Sequence, residues 1–338
     1  MTFDPKWLQA CVGLLPVLCF LAALVLLDSY KLVRLRMVFT VLVAGGVIAG
    51  ICYAIAAFII NATGLGFEDY SRYVAPLIEE SLKAAVVIAL IRMRRIGFLV
   101  DASVLGFAVG TGFATVENVY YLGQLADVHS AAWIVRGFGT AIMHGGTQAI
   151  FAALALTNAD SRGKLDARAV LPPLVLVILV HAAFNQFMLS PIIETVLVLA
   201  IIPPLLVWVY VRSEGTLRGW LGSGFDADQE LLNLLGSDTF SQSPAGQYLF
   251  KLRERFPGKV VADLLCYLQL YAELALRAKG ILMMRENGIE ATIDDETRSK
   301  LEEMAFLERS VGRAGLLTLQ PLMHTSRRDL WQLHLLGK

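Results

Sequence analysis

Ionisable side chains interrupt several stretches of this sequence that are otherwise strongly apolar. They are Glu79, Glu80 and Lys83 in APLIEESLKAAVV, Glu117 in GFATVENVYY, His144 in MHGGTQ, and His181 in HAAFNQ. Carboxylates and imidazoles transfer protons in enzymes, and both also bind zinc. A charged group at the centre of a membrane costs about 2.5–3.5 kcal/mol on insertion scales. We therefore expect these residues to be paired, hydrated or neutral, and to serve a function.

A spacing of four residues, which puts two side chains on one face of a helix, recurs in these stretches. The pairs are Glu79 with Lys83, Phe113 with Glu117, and His181 with Asn185, while Glu80 and Asn118 lie beside them. Each feature alone has a structural explanation, such as an intrahelical ion pair or an asparagine that joins two helices. Their occurrence on successive apolar segments predicts one shared polar site inside a helix bundle.

The elements that position these residues are predicted from composition. The chain is 56% hydrophobic and 17% charged, with a mean hydropathy of +0.61, whereas soluble domains are about 25% charged. Residues 1–212 hold 26 charged side chains, and the shorter segment 213–338 holds 32. The first part therefore has the composition of a membrane protein and the second that of a soluble domain. The net charge of zero gives no indication of nucleic-acid binding.

Apolar runs of about 20 residues are long enough to cross a bilayer. We predict about seven: Trp7–Leu27, Met37–Ile60, Tyr73–Ile91, Phe98–Leu122, Ala131–Leu156, Ala169–Leu189 and Ile192–Val211. Most lysines and arginines fall in the loops after the first, third, fifth and seventh runs, which predicts an N-terminus outside and a C-terminal part inside. The predicted fold is an all-α, polytopic membrane bundle.

Two domains are expected: residues 1–212 in the membrane and residues 213–338 as a helical cytoplasmic domain. In the second, Pro257 should open one long helix and Asp294–Leu317 should form another. No catalytic motif occurs there, so we expect it to regulate the first domain or to bind a cytoplasmic partner. The four cysteines form no recognisable disulfide or metal motif.

The order of the polar motifs resembles that of the PrsW family of intramembrane proteases, which is related to the CAAX-processing proteases. The resemblance covers roughly residues 70–190 and rests on Glu79-Glu80-x-x-Lys83, Phe113-x-x-x-Glu117-Asn118, the isolated His144, and His181-x-x-x-Asn185. It implies a multi-pass protein, expected in a prokaryotic plasma membrane. It also implies membrane-anchored protein substrates, such as anti-sigma factors, that are cut near the outer face.

The same resemblance implies a role for each site residue. Glu79 is expected to be the general base, with Glu80 tuning it and His144 orienting the water or sharing its proton. Glu117 would hold that water or bind a metal. The oxyanion would accept hydrogen bonds from His181 and Asn185. Lys83 would balance the charge of the site, and Asn118 and Phe113 would support it.

Two chemistries remain open at this stage. Either the glutamates and histidines act without a metal, or zinc binds to His144, His181 and one of Glu79 and Glu117. Two other classes of function also remain: a transporter that relays protons or ions through the same side chains, and a scaffold without activity. Against a transporter, the sequence has neither a repeat between its halves nor paired broken helices.

Overall fold

A computed structural model of the chain describes residues 5–124, 130–289, 291, 293–323 and 327–336. The described part is helical and contains no strand, as the all-α prediction requires. It divides into two compact units, Met1–Glu214 and Gly215–Lys338. We refer to them as the membrane unit and the tail unit.

The described part of the membrane unit contains both long and short helices. They are α1 (Pro5–Leu26), α2 (Leu35–Thr63), α3 (Phe67–Asp69), α4 (Ala75–Arg92), α5 (Leu99–Gln124), α6 (Ser130–Ile134), α7 (Ala141–Arg162), α8 (Ala167–Asn185) and the first part of α9 (Pro191–Leu235). Two π-helical segments interrupt this pattern. The first, Tyr70–Val74, joins α3 to α4, and the second, Val135–Thr140, joins α6 to α7.

Five helices of the described part are long and apolar enough to cross a membrane: α1, α2, α5, α8 and α9. The third and fifth predicted spans are not among them. Helix α4 contains four charged residues in 18 positions, and α7 is rich in glycine and polar side chains. These two helices carry Glu79, Glu80 and His144, so the groups that predict a function also lower the hydropathy. The total of seven spans stays a prediction.

Helix α5 forms the centre of the membrane unit. In its most apolar window, 83% of the residues are buried, against 17–28% in the other four candidate spans. Glycines allow its neighbours to approach closely, as is common between membrane helices. A Cβ atom on Gly110 would lie 2.0 Å from the carbonyl oxygen of His144, and one on Gly112 would lie 1.9 Å from that of Leu42. Both positions therefore require glycine, and Gly110 fixes α7 against α5 at the level of His144.

The helix that carries the seventh predicted span extends well beyond the predicted end of that span at Val211. Helix α9 continues without interruption from Pro191 to Leu235, and the boundary between the units falls inside it. Apolar residues give way to a mixed sequence near residue 212, but this change of composition does not end the helix. Prolines 203 and 204 also lie inside it.

The tail unit is built around a long, largely buried helix. Its further helices are α10 (Pro244–Lys251), α11 (Gly258–Glu286), α12 (Asp295–Leu319) and α13 (Arg327–Leu336), with 3-10 turns at Phe240–Gln242 and Leu252–Glu254. Helix α11 begins directly after Pro257, where the sequence predicts a helix, and buries Leu264, Leu268 and Leu274. Asp294 caps α12 by accepting a hydrogen bond from the Thr297 amide.

Candidate active site

Five ionisable side chains from four helices meet inside the membrane unit. Helix α4 contributes Glu79 and Glu80, α5 contributes Glu117, α7 contributes His144, and α8 contributes His181. Glu80, His144 and His181 are buried, with at most 2% of the side chain exposed. Glu79 and Glu117 remain 16% and 26% exposed, so these two carboxylates are the members that an incoming water or peptide can reach.

Both carboxylate oxygens of Glu80 are engaged by polar side chains. Its Oε1 atom lies 2.6 Å from Lys83 Nζ and 2.8 Å from His181 Nδ1, and its Oε2 atom accepts a hydrogen bond of 2.6 Å from Gln148 Nε2. A carboxylate with both oxygens so engaged orients its neighbours. The hydrogen bonds join Glu80 to Lys83, His181 and Gln148, and its expected role of tuning Glu79 stays a prediction.

Lys83 pairs with Glu80 and not with Glu79, which was the partner that the i,i+4 spacing indicated. The ammonium also lies 3.0 Å from His144 Nδ1 and 4.5 Å from the centre of the Phe113 ring. An ammonium has only donors, so His144 Nδ1 accepts in this contact. In a neutral imidazole this places the proton on Nε2, which lies 3.3 Å from Glu117 Oε2.

His181 has the opposite arrangement. Its Nδ1 faces the Glu80 carboxylate, which can only accept, and therefore carries the proton. The lone pair of a neutral His181 is then on Nε2, 4.0 Å from Glu79 Oε2. The two imidazoles stand edge to face, with ring centres 4.8 Å apart. His144 therefore presents a hydrogen-bond donor to the carboxylates, and His181 presents a lone pair.

Arg136 belongs to the same network, although the polar motifs of the sequence did not include it. It lies in the second π segment, where it donates a hydrogen bond of 2.9 Å from Nε to Asn118 Oδ1. Its Nη2 is 3.4 Å from Glu117 Oε1, and its guanidinium stacks 3.8 Å from the centre of the Tyr121 ring. The signal that could have revealed it is a single arginine within a glycine-rich apolar run.

The two asparagines of the predicted site bind backbone carbonyls. Asn118 donates to the carbonyl of Gly13 at 2.7 Å and thereby ties α5 to α1. Asn185 donates to the carbonyl of Ser71 at 2.9 Å, in the first π segment. π-Helical turns leave backbone groups without their usual partners and occur often at functional sites. Asn185 thus supports the segment that leads into α4, and the structure does not bring its amide to the five ionisable groups.

Glu79, His144 and His181 offer a donor set for a metal. One ligand atom from each lies within 4.8 Å of the others, and two histidines with one glutamate form a common set for catalytic zinc. A metal-binding histidine usually donates its other ring N–H to a carboxylate or a carbonyl. Glu80 provides such a carboxylate for His181 Nδ1. The set therefore fits zinc, with one condition: His144 can ligate through Nε2 only after its proton moves to Nδ1, which the contact with Lys83 disfavours.

Comparison with known proteins gave one match. A family model described as PrsW family intramembrane metalloprotease matches residues 32–210. This range includes all five ionisable groups, Lys83 and Arg136, and ends before the tail unit. No curated protein and no solved structure matched the chain.

Proposed function

The chain belongs to the PrsW family of intramembrane metalloproteases, and from this premise we propose that it is an endopeptidase acting on membrane-anchored proteins. The observation that carries the proposal is the convergence of Glu79, His144 and His181, one ligand atom of each lying within 4.8 Å of the others, beside two carboxylates that are partly exposed. A peptidase needs a base for water, a donor for the developing oxyanion and an acid for the leaving amine. The cluster contains residue types suited to all three tasks.

Glu79 is the proposed general base. It is partly exposed and close to both imidazoles, whereas Glu80 is fully engaged with Lys83, His181 and Gln148. Glu79 takes one proton from water as the oxygen bonds to the peptide carbonyl carbon. The carbon–nitrogen bond then breaks, and Glu79 returns that proton to the leaving amine. The second proton of the water stays on the new carboxyl group, the electrons of the broken carbon–nitrogen bond stay on the amine, and no redox partner is needed.

The developing oxyanion needs a donor aimed into the site. The resemblance assigns this role to His181 and Asn185. In the structure His181 Nδ1 faces Glu80 and the Asn185 amide binds Ser71, so the hydrogen bonds favour His144 Nε2–H as an additional donor. Glu117 Oε2 lies 3.3 Å from the same nitrogen.

Zinc is the metal that the family description and the donor set favour. Glu79, His144 and His181 would hold it, and Glu80 would orient His181 from the outer shell. When bound, zinc lowers the pKa of its water to about 7 and polarises the carbonyl. One observation favours the metal-free alternative: the Lys83 ammonium faces His144 Nδ1 at 3.0 Å, which keeps the proton on the nitrogen that a metal would need.

Metal analysis of the purified protein distinguishes these two chemistries. If zinc is catalytic, wild type binds about one zinc ion per chain, His181→Ala binds much less, and chelation abolishes cleavage until zinc is restored. If the glutamates act alone, cleavage of a single-span substrate in proteoliposomes survives chelation and still requires Glu79. Cleavage that survives both chelation and Glu79→Gln would contradict the site itself.

The side of cleavage follows from the predicted topology. Glu117 and His181 lie in the last turns of α5 and α8, on the side that the loop charges predict to be outside. Glu79 and His144 lie nearer the middle of the helical stretches that begin at Phe67 and Ser130. We therefore propose that substrates, such as anti-sigma factors, are cut near the outer end of their transmembrane helix.

A further inference from the structure

Four exposed cations and an exposed aromatic ring lie close together in the sequence of the tail unit. We name this group the basic patch; it consists of Phe250, Lys251, Arg253, Arg255 and Lys259, all of them exposed. It spans the end of α10, the following 3-10 turn and the start of α11. The Phe250 side chain is 66% exposed, and the Arg253 guanidinium lies 5.1 Å from the centre of its ring.

The backbone of this segment is held firmly against the tail unit. Leu249 and Leu252 are buried, and the Tyr248 hydroxyl donates a hydrogen bond of 2.8 Å to the carbonyl of Thr318. These anchors fix which residues point inward. Phe250 lies between the two buried leucines and is left outside, so the exposure of its ring is a property of the packed fold.

The four cations of the basic patch differ from most others in the tail unit. Among the described residues, no acidic side chain lies within ion-pair distance of any of them. Elsewhere in the unit, cations pair with carboxylates, as Arg218 does with Glu286 at 2.9 Å and Lys300 with Glu273 at 2.8 Å. Between residues 250 and 259 the single acid is Glu254. The patch thus carries a net charge that no neighbouring group neutralises.

We propose that the basic patch binds the anionic phospholipid surface of the bilayer and holds the tail unit against it. Each lysine or arginine close to an anionic leaflet strengthens binding about fivefold. An exposed phenylalanine ring can bury its apolar surface at the boundary between headgroups and acyl chains. Phe250 beside Arg253 combines both properties.

The bilayer is favoured over other polyanions because the tail unit is tethered to it. Helix α9 runs without a break from an apolar, membrane-length segment into the tail unit, so an anionic surface is always close at hand. A nucleic acid or an acidic protein would have to be recruited from solution. On the predicted cytoplasmic side, the membrane leaflet has a negative surface potential. This proposal does not depend on the peptidase activity.

Photocrosslinking of the full-length protein tests the proposal. Phe250 is replaced by p-benzoylphenylalanine, and the protein is reconstituted in nanodiscs of phosphatidylcholine alone or with 30% phosphatidylglycerol. The matched control carries the same substitution at Phe306, which is 62% exposed but flanked by exposed Glu302 and Glu303. We expect lipid adducts at position 250 to be at least tenfold more abundant in the anionic discs, and position 306 to give few in either.

A charge-neutralised variant makes the test specific. Lys251→Gln with Arg253→Gln should lower the adduct yield at position 250 by about 25-fold, because each lost cation weakens binding about fivefold. High salt should lower the yield further. Both substituted side chains are exposed, so the fold is expected to persist. Equal yields in the two lipid compositions, equal yields at positions 250 and 306, or adducts only to protein would each overturn the proposal.

Discussion

A buried lysine paired with a buried carboxylate occurs in both units of the chain, and the two pairs differ in their surroundings. Lys83 pairs with Glu80 in the membrane unit, and Lys279 pairs with Asp228 in the tail unit; both lysines are at most 1% exposed. In the tail unit, the ammonium of Lys279 lies 4.9 Å from the centre of the Trp220 ring. The indole N–H of Trp220 in turn donates to Asp329.

In the membrane unit, both members of the ion pair also contact a histidine. Lys83 Nζ reaches His144, and Glu80 Oε1 reaches His181. The second nitrogen of each imidazole faces a carboxylate that is still partly exposed, Glu117 or Glu79. A buried ion pair therefore indicates a function only where it supports reactive groups that water or a substrate can reach.

The strongest test of this comparison replaces each pair by apolar residues. Losing one partner of a buried pair costs about 3–5 kcal/mol, whereas replacing both is often neutral. We expect Lys279→Met with Asp228→Leu to keep cleavage within about twofold. Lys83→Met with Glu80→Leu should lower it by about a thousandfold or more, because His144 and His181 lose their orientation.

Thermal unfolding and size-exclusion profiles of both double variants serve as controls for folding. The comparison would fail if the Lys279 and Asp228 double variant folded normally but lost cleavage. It would fail equally if the Lys83 and Glu80 double variant folded and stayed active.

A second, smaller effect is expected at Arg136, which supports Glu117 without touching the proposed base. Arg136→Gln should lower kcat/KM about 10–100-fold, mainly through kcat, and Arg136→Lys should recover part of the loss. If Arg136 acts through Glu117, Arg136→Gln combined with Glu117→Gln should be little worse than Glu117→Gln alone. Additive losses would show that Arg136 acts independently of this carboxylate.

Removing the tail unit should affect catalysis less than either change in the membrane unit. All five ionisable groups lie before residue 190, and the family match ends at residue 210. A chain truncated after about residue 220 should therefore still cleave a small substrate, within about tenfold of wild type. Complete inactivity of a truncated but correctly folded protein would assign the tail unit to the catalytic machinery.

The smallest effect concerns acid sensitivity of the tail unit. Partial burial would raise the pKa of Glu273, but hydrogen bonds from Lys300 and Gln269 outweigh it and hold this pKa below its ordinary value. A lowered pKa stabilises the fold above the unfolded value of about 4.3 and loses this contribution as the pH falls through the folded value.

Hydrogen exchange of α11 in wild type and Glu273→Gln measures this contribution. The protection of the two proteins should differ modestly at pH 6–7, since partly exposed ion pairs contribute little, and should converge once the pH falls below the folded pKa of Glu273. A difference that grows on acidification would reverse the predicted sign.

Much of the site could be predicted because helical spacing and motif order are local properties of the sequence. They indicated that Glu79, Glu80, Glu117, His144 and His181 belong together. The partner of Lys83 could not be predicted in this way. Glu79 at i,i+4 and Glu80 at i,i+3 are both within reach on a helix, and the choice depends on His181 and Gln148, which approach from other helices.

Two further features depended on tertiary structure. The role of Arg136 arises from the second π segment and from the position of Tyr121, neither of which leaves a periodic pattern. Helix α9 contains Gly215, Gly219, Gly222 and Gly224, and each costs about 1 kcal/mol relative to alanine in a helix interior. These glycines argue against a continuous helix beyond Val211, whereas the helix runs through all four of them.

Fragment analysis by mass spectrometry tests the central claim most directly. Membrane proteomes of wild-type and Glu79→Gln strains identify proteins that accumulate uncut in the variant, and one such protein is then incubated with each purified form in proteoliposomes. We predict that wild type releases fragments ending near the outer end of the substrate's transmembrane helix, and that Glu79→Gln, though folded and inserted, releases none. The same fragments from the Glu79→Gln protein would contradict the assignment of the active site.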